Sequence, residues 1–83
     1  MTDIARSPKQ IGALIRKYRR GRDLNQTELG AKTSLRQATI STIENGEDAT
    51  RISTICDVLA ALDLELVIRP RGNRKTSDLE DVF

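Results

Sequence analysis

Several residue types that carry chemistry are rare or absent in this chain of 83 residues. There is no histidine, so the commonest general base and the usual zinc ligand sets are missing. The single cysteine, Cys56, cannot form an internal disulfide, and we expect it to be a core residue. The chain has no glycine-rich phosphate loop and no motif that sets a nucleophile beside a base. We therefore predict a protein that is not an enzyme and that uses neither a metal nor a cofactor.

Long apolar runs are also missing, which bears on where the protein resides. No segment approaches the roughly 18 apolar residues of a membrane span, and residues 1–6 contain no apolar run that could act as a signal peptide. We therefore expect a cytoplasmic protein with no membrane partner. A chain this short buries only about 60% of the surface that its unfolded form exposes. A second subunit that covers apolar surface would stabilise it, so oligomerisation is expected.

Charge is distributed unevenly along the chain. The net charge is +2, but residues 1–40 contain nine basic and three acidic residues, whereas residues 41–83 contain five basic and nine acidic residues. A basic half in a chain of low net charge suggests one face that attracts a polyanion. An ordinary solvated surface would have the same composition, so composition leaves both interpretations open.

Two helix starts are signalled in the basic half. Ser7 followed by Pro8 is typical of an N-cap and a first helical residue, and Gly21 ends that helix. The apolar residues between them have helical spacing and are Ile11, Leu14, Ile15 and Tyr18. Asn25 with Glu28 three residues later predicts a capping box at the start of a second helix.

The middle of the chain has the plan of a helix-turn-helix unit. Residues 26–32 predict a supporting helix, residues 33–36 a turn, and residues 37–44 a recognition helix that enters the major groove of DNA. Thr50 is predicted to cap a fourth helix that continues to Asp63. Its apolar positions follow the 3.6-residue period and are Ile52, Ile55, Cys56, Leu59 and Leu62.

The outward residues of the predicted recognition helix are short, uncharged and able to contact bases. Glutamine can pair with the N6 and N7 edge of adenine, and alanine or a threonine methyl group can meet the methyl group of thymine. With Ile40 and Ile43 in the core, we predict that the residues that contact bases are Gln37, Ala38, Ser41 and Thr42. A solvated helix face would more often carry lysine and glutamate.

A second set of residues is suited to the phosphate backbone of DNA. Backbone contacts position the protein without reading sequence, and the predicted set is Gln26, Lys32, Arg36, Thr39 and Arg16. The basic cluster that ends the first helix would extend this contact, and it comprises Arg16, Lys17, Arg19, Arg20 and Arg22. Some of its members would instead form ion pairs with Asp23, Glu28 or Glu44, and the sequence leaves the two roles open.

Residues 64–69 change to a period near two and stop at Pro70, which predicts the one strand of the chain. A lone strand leaves backbone groups unpaired, and pairing with the same strand of a second copy resolves this. We therefore predict a homodimer whose interface includes Leu64, Leu66, Val67 and Ile68. The alternative is a last turn of the fourth helix, or an extended segment packed on its own domain.

The end of the chain is predicted to be a flexible tail. We assign residues 1–69 to the folded domain and residues 70–83 to a disordered segment with few apolar residues. Its three apolar residues, Leu79, Val82 and Phe83, lie in an acidic sequence. A terminal aromatic residue can anchor in a partner's pocket, so these residues predict a partner-binding tip, with an ordinary tail as the alternative.

Two motifs resemble the Cro/C1-type (Xre) helix-turn-helix family, which typically reads L-T-Q-x-E-L-A followed by S-x-x-T-I-S-x-I-E-N-G. Here residues 24–30 read L-N-Q-T-E-L-G and residues 38–46 read A-T-I-S-T-I-E-N-G. The departures are Asn25 for threonine, Gly30 for alanine and Arg36 for a capping serine. The resemblance covers about residues 11–64 and implies a lambda-repressor-like all-α domain of four helices, to which the predicted strand adds a dimer contact.

A narrower resemblance, to the HipB antitoxins, involves residues 37–41, residues 62–66 and the aromatic end of the tail. It implies a dimer that binds palindromic operator DNA, represses its own operon, and neutralises a HipA-type serine/threonine kinase toxin. The alternatives are a stand-alone Xre-family repressor, or an interaction module that holds a partner protein through its C-terminal half. From the resemblance to the HipB antitoxins, we predict a DNA-binding repressor that is also an antitoxin.

Overall fold

The fold is seen in a computed structural model, which describes residues 3–47 and 49–71. This part of the chain contains four α-helices, which are α1 (Pro8–Gly21), α2 (Gln26–Thr33), α3 (Gln37–Glu44) and α4 (Ile52–Ala61). The predicted all-α class with four helices is therefore confirmed. None of these helices is long and apolar enough to cross a membrane.

Local hydrogen bonds fix the starts of α1 and α2, as predicted. The side chain of Ser7 accepts from the backbone N–H of Gln10 at 3.2 Å, and Pro8 is the first residue of α1. The side chain of Asn25 accepts from the backbone N–H of Glu28 at 2.7 Å. The carboxylate of Glu28 in turn accepts from the backbone N–H of Asn25 at 2.8 Å, so the predicted capping box is complete.

The core lies where the four helices meet. Its buried apolar side chains are Ile15, Leu29, Ile40, Ile43, Val58 and Leu62. Gly12 permits the close approach of α1 to α3, because a Cβ atom there would overlap the backbone carbonyl oxygens of Ile43 and Glu44. After α3, Gly46 has a φ of 77°, which lets the chain turn away from the helix.

The prediction for α4 was wrong at both ends of the helix and for two of the predicted core residues. The N-cap residue is Arg51 rather than Thr50, and the helix ends at Ala61. Ile52 is 71% exposed and Cys56 is also exposed, so neither belongs to the core. The buried side of α4 instead follows the i, i+3, i+4, i+7 spacing from a different starting residue, and comprises Ile55, Val58, Leu59 and Leu62. The sequence pattern missed Val58, which is fully buried.

The segment that follows α4 is largely exposed. Leu64 packs against the core, and its backbone N–H donates to the carbonyl of Leu59 at 2.8 Å. Leu66, Val67 and Ile68 are 49%, 69% and 93% exposed. Residues 64–71 are not helical, and the single chain has no strand in residues 3–47 and 49–71. The predicted pairing of this segment with a second copy therefore remains a proposal.

Candidate nucleic-acid interface

A tight turn joins α2 to α3. Ser34 has a left-handed φ of 59°, and the backbone N–H of Leu35 donates to the carbonyl of Gly30 at 2.8 Å. Ile40 and Ile43 are buried in the core as predicted, and Leu35 packs against them. The turn and these apolar residues therefore hold α3 against α2 with its opposite side toward solvent.

The outer face of α3 consists of the four residues predicted to contact bases. Gln37 and Ala38 are exposed, and Ser41 and Thr42 are half-buried. The hydroxyl of Thr42 donates to the backbone carbonyl of Ala38 at 3.0 Å, which uses its proton within the helix. The outer face of α3 therefore offers a glutamine amide, two hydroxyl groups and two methyl groups, without a charge.

A buried ion pair links α1 to α3. Nε and Nη2 of Arg19 donate to the two carboxylate oxygens of Glu44 at 2.6 and 3.0 Å, and Nη1 donates to the carbonyl of Leu24 at 2.7 Å. The two residues are 7% and 8% exposed. The hydrogen bond to Glu44 raises the pKa of Arg19 above its ordinary value, so the guanidinium stays charged. Of the two roles open for Arg19, the structure shows the ion pair.

The amide of Gln26 lies between this ion pair and α3. Its Nε2 donates to the carboxylate of Glu44 at 3.3 Å, and its Oε1 accepts from Nε2 of Gln37 at 2.5 Å. Neither contact was predicted, because the partners are 18 and 11 residues apart along the chain. Gln26 was predicted to contact the phosphate backbone of DNA. The structure places it beside Gln37, which was predicted to contact bases.

The other residues that were predicted to contact the phosphate backbone of DNA lie at or near the surface. Lys32, Arg36 and Arg16 are exposed and Thr39 is half-buried. Arg36 is the N-cap residue of α3 and makes no side-chain capping bond, as expected for a guanidinium, which has no acceptor atom. The described part of the chain has no ion pair for Arg16, Lys32 or Arg36, so each of these cations faces solvent.

The rest of the basic cluster divides between surface and local contacts. Lys17 pairs with Asp3 at 3.1 Å, whereas Arg22 lies over the ring of Tyr18, with Cζ 5.6 Å from the centroid. The hydroxyl of Tyr18 donates to the carboxylate of Asp3 at 2.6 Å. This hydrogen bond raises the pKa of Tyr18 and, together with the one from Lys17, lowers the pKa of Asp3. Arg20 is exposed in the last turn of α1.

The predicted dimer segment borders a different surface from the outer face of α3. The exposed apolar residues after α4 flank a cavity of about 720 Å³, which the N-terminal segment and α1 also line. Leu79, Val82 and Phe83 lie outside the described residues. No group of three histidine, cysteine, aspartate or glutamate side chains within residues 3–47 and 49–71 is arranged to hold a metal ion.

Comparison with known proteins defines the class first. A family model described as "Helix-turn-helix" matches residues 15–68. The chain is 31% identical over 74 residues to "Antitoxin HipB" of Escherichia coli, a match that covers 89% of this chain and 84% of that protein. The chain therefore belongs to the helix-turn-helix family and, within it, to the group of the HipB antitoxins, which confirms the resemblance found in the sequence.

Solved structures support the same grouping. The structure described as "HipB-O4 20mer complex" has a TM-score of 0.79 and 30% identity, and the match covers 86% of this chain and 100% of that one. The "Structure of HipA-HipB-O2-O3 complex" has a TM-score of 0.78 at the same identity and coverage. The fold and the sequence of this chain are thus those of a HipB-like regulator.

Proposed function

We propose that the protein is a homodimeric repressor that binds palindromic operator DNA through the outer face of α3. The observation that carries this proposal is that face itself, which is uncharged and hydrogen-bonding where it would read bases, with exposed cations nearby. Gln37, Ala38, Ser41 and Thr42 would contact base edges, while Gln26, Lys32, Arg36, Thr39 and Arg16 would contact phosphates. The complex named for HipB and a 20mer supports such binding by a relative.

The homodimer is supported by the apolar surface after α4. Residues 64–69 comprise the segment predicted to form a strand, and Leu66, Val67 and Ile68 expose apolar area that an antiparallel copy of the same segment would cover. Two α3 helices related by a two-fold axis would then address half-sites about 34 Å apart, or a multiple of that distance.

The proposed partner protein is a HipA-type serine/threonine kinase toxin, which the dimer would neutralise while repressing its own operon. The HipA-HipB complex among the similar structures supports this class of partner. We assign the tail of residues 70–83, through Leu79, Val82 and Phe83, as the part that contacts the toxin. The protein would act in the cytoplasm by binding alone, without catalysis.

DNA binding is tested by fluorescence anisotropy of the purified protein with the DNA upstream of its own gene and with a scrambled duplex, over a series of salt concentrations. We expect a preference of about 1,000-fold or more for the natural sequence, with affinity falling steeply as salt rises. Equal and weak binding to both duplexes would contradict the repressor function and favour an interaction module.

Toxin binding is tested separately with the HipA-type kinase encoded beside this gene, if one is present. We expect the full chain to form a complex and to suppress the kinase's phosphoryl transfer, and the chain ending at residue 77 to bind more weakly. Operator binding without any kinase binding would favour a stand-alone repressor of the Xre family.

A further inference from the structure

Thr42 is a half-buried residue on the outer face of α3, and its hydroxyl group is already bound within the helix. The hydroxyl donates to the backbone carbonyl of Ala38, one helical turn earlier, at 3.0 Å. A threonine hydroxyl has only one proton to donate. Because this proton is used inside the protein, Thr42 offers DNA only an acceptor oxygen and a methyl group.

This internal hydrogen bond narrows the contacts that Thr42 can make with DNA. The residue type alone leaves three contacts open, which are a phosphate, a polar group on a base edge, and the methyl group of thymine. Phosphate oxygens only accept hydrogen bonds, as do N7 and O6 of guanine, N7 of adenine and O4 of thymine. A hydroxyl that has already donated its proton cannot donate to any of these atoms. Thr42 is therefore unsuited to a phosphate and to every acceptor on the base edges.

The methyl group is the part of Thr42 that is left for contact with a base. Acceptance from N6 of adenine or N4 of cytosine needs the hydroxyl oxygen to face the base, whereas here this oxygen faces the carbonyl of Ala38. The hydroxyl and the methyl group occupy separate staggered positions on the Cβ atom of threonine. The hydrogen bond that fixes the hydroxyl therefore fixes the methyl group as well.

The surface around this methyl group is also apolar. Ala38 is exposed four residues earlier, and residues with this spacing are neighbours on a helix surface. The methyl group of Ala38 therefore extends the apolar surface that Thr42 begins. Thymine is the one base whose major-groove edge carries an apolar group, the C5 methyl group. An apolar surface on α3 thus matches thymine better than any other base.

We propose that Thr42 selects thymine at one position of each half-site by contact of its methyl group with the C5 methyl group of the base, while its hydroxyl stays bound to Ala38. The inference rests on the proposed function and deepens it, because it names the chemical group that this residue recognises. It also gives Thr42 a different role from Thr39, a threonine of the same helix that is proposed to contact phosphate.

The DNA arm of the test uses two variants that each keep one half of the threonine side chain. Thr42→Val keeps the methyl group and loses the hydroxyl, whereas Thr42→Ser keeps the hydroxyl and loses the methyl group. Threonine, valine and serine have similar helix propensities, so neither variant should unfold α3. Each thymine of the operator is replaced in turn by deoxyuridine, which lacks only the C5 methyl group, and the affinity of each protein is measured.

At one thymine of each half-site, we expect deoxyuridine to weaken binding by the natural protein about fourfold, the effect of one buried methyl-sized group. Thr42→Val should show the same loss at the same thymine. Thr42→Ser should bind the natural operator about fourfold more weakly for each half-site and should no longer distinguish thymine from deoxyuridine there. The inference is overturned if Thr42→Val loses this discrimination while Thr42→Ser keeps it, or if all three proteins distinguish the same thymines.

Thr39→Val and Thr39→Ser are the matched controls, because Thr39 is also a half-buried threonine of α3. Both variants should distinguish thymine from deoxyuridine at the same positions as the natural protein. If Thr39→Ser removes the same discrimination as Thr42→Ser, the effect comes from the helix as a whole and the inference is wrong. Circular dichroism of each variant checks that the fold is retained.

A second arm uses the free protein and does not depend on DNA binding. Three-bond NMR couplings from Cγ2 of a threonine to its backbone nitrogen and carbonyl carbon report the χ1 angle. We expect a single χ1 rotamer for Thr42, and averaging between rotamers for the exposed Thr27. Averaged couplings for Thr42 would overturn the inference. If Thr42 has a single rotamer but no operator is bound, the side-chain orientation stands and the proposed repressor function fails.

Discussion

The helix-turn-helix region and the segment after α4 are held in very different ways. Residues 8–47 are fixed by capping bonds, a shared apolar core and a buried ion pair that joins α1 to α3. Residues 65–71 are exposed, and three of them are large apolar side chains. The contacts that hold the first region lie within one chain, whereas the second region exposes apolar side chains that the proposed dimer would cover.

The largest effect is expected from breaking the buried pair with Glu44→Gln. Arg19 would keep its charge while losing its ionised partner, and such changes cost about 3 to 5 kcal/mol of unfolding free energy. Urea unfolding measures this cost. Glu47→Gln makes the same chemical change at an exposed position and should cost less than about 0.5 kcal/mol. Equal stability of the two variants would show that the pair does not hold α1 to α3.

A smaller effect is expected from Gly12→Ala, at the contact of α1 with α3. The added methyl group would overlap backbone oxygens of α3, so the helices must separate, at a cost of about 1 to 3 kcal/mol. Gly21→Ala is the control in the same helix, because a Cβ atom there meets nothing within 4 Å. Thermal unfolding should show a lower melting temperature for Gly12→Ala and not for Gly21→Ala. Similar melting temperatures of the two variants would contradict the close contact of α1 with α3.

A gain of stability is expected from Arg36→Ser. Serine can cap α3, where arginine makes no capping bond, and a cap contributes about 1 kcal/mol. The same variant removes a cation proposed to contact phosphate from each subunit of the proposed dimer, so operator affinity should fall and the magnitude of the slope of log affinity against log salt should decrease by about 2.

Arg51→Ser is the matched control, because Arg51 is also an N-cap residue without a capping bond but starts α4. We expect a similar gain in unfolding free energy and unchanged operator binding. Weaker binding by both variants would mean that Arg36 has no special place at the DNA.

The smallest effect on the isolated subunit is expected from Ile68→Lys. Ile68 is 93% exposed, so its replacement should change the subunit's own stability by less than about 0.5 kcal/mol. If this segment pairs across the dimer, sedimentation velocity should show weaker self-association of the variant. If the natural protein stays monomeric at high concentration, the proposed dimer interface is wrong.

The sequence predicted the helix-turn-helix region well because its signals are local. Asn25 and Glu28 define a helix start within four residues, and the bounds of α3 agree with the prediction. Periodicity places Ile40 and Ile43 in the core, because α3 is too short to offer a competing register.

The prediction failed where a helix offered two apolar registers, or where the contacting residues are far apart along the chain. Ile52 and Cys56 fit a helical period as well as Val58 does, and only packing against the other helices selects the side with Val58. Thr50 is a good capping residue by type, yet the helix begins two residues later. The contact of Gln26 with Gln37 arises from the tertiary turn, which neither residue signals.

The proposal that the outer face of α3 reads bases is tested most directly with Gln37→Ala. The affinities of this variant and of the natural protein are measured for each single-base variant of the operator. We expect a loss of about 1 to 3 kcal/mol that is confined to one base position of each half-site. A uniform loss at every position, as expected for a phosphate contact, would contradict it.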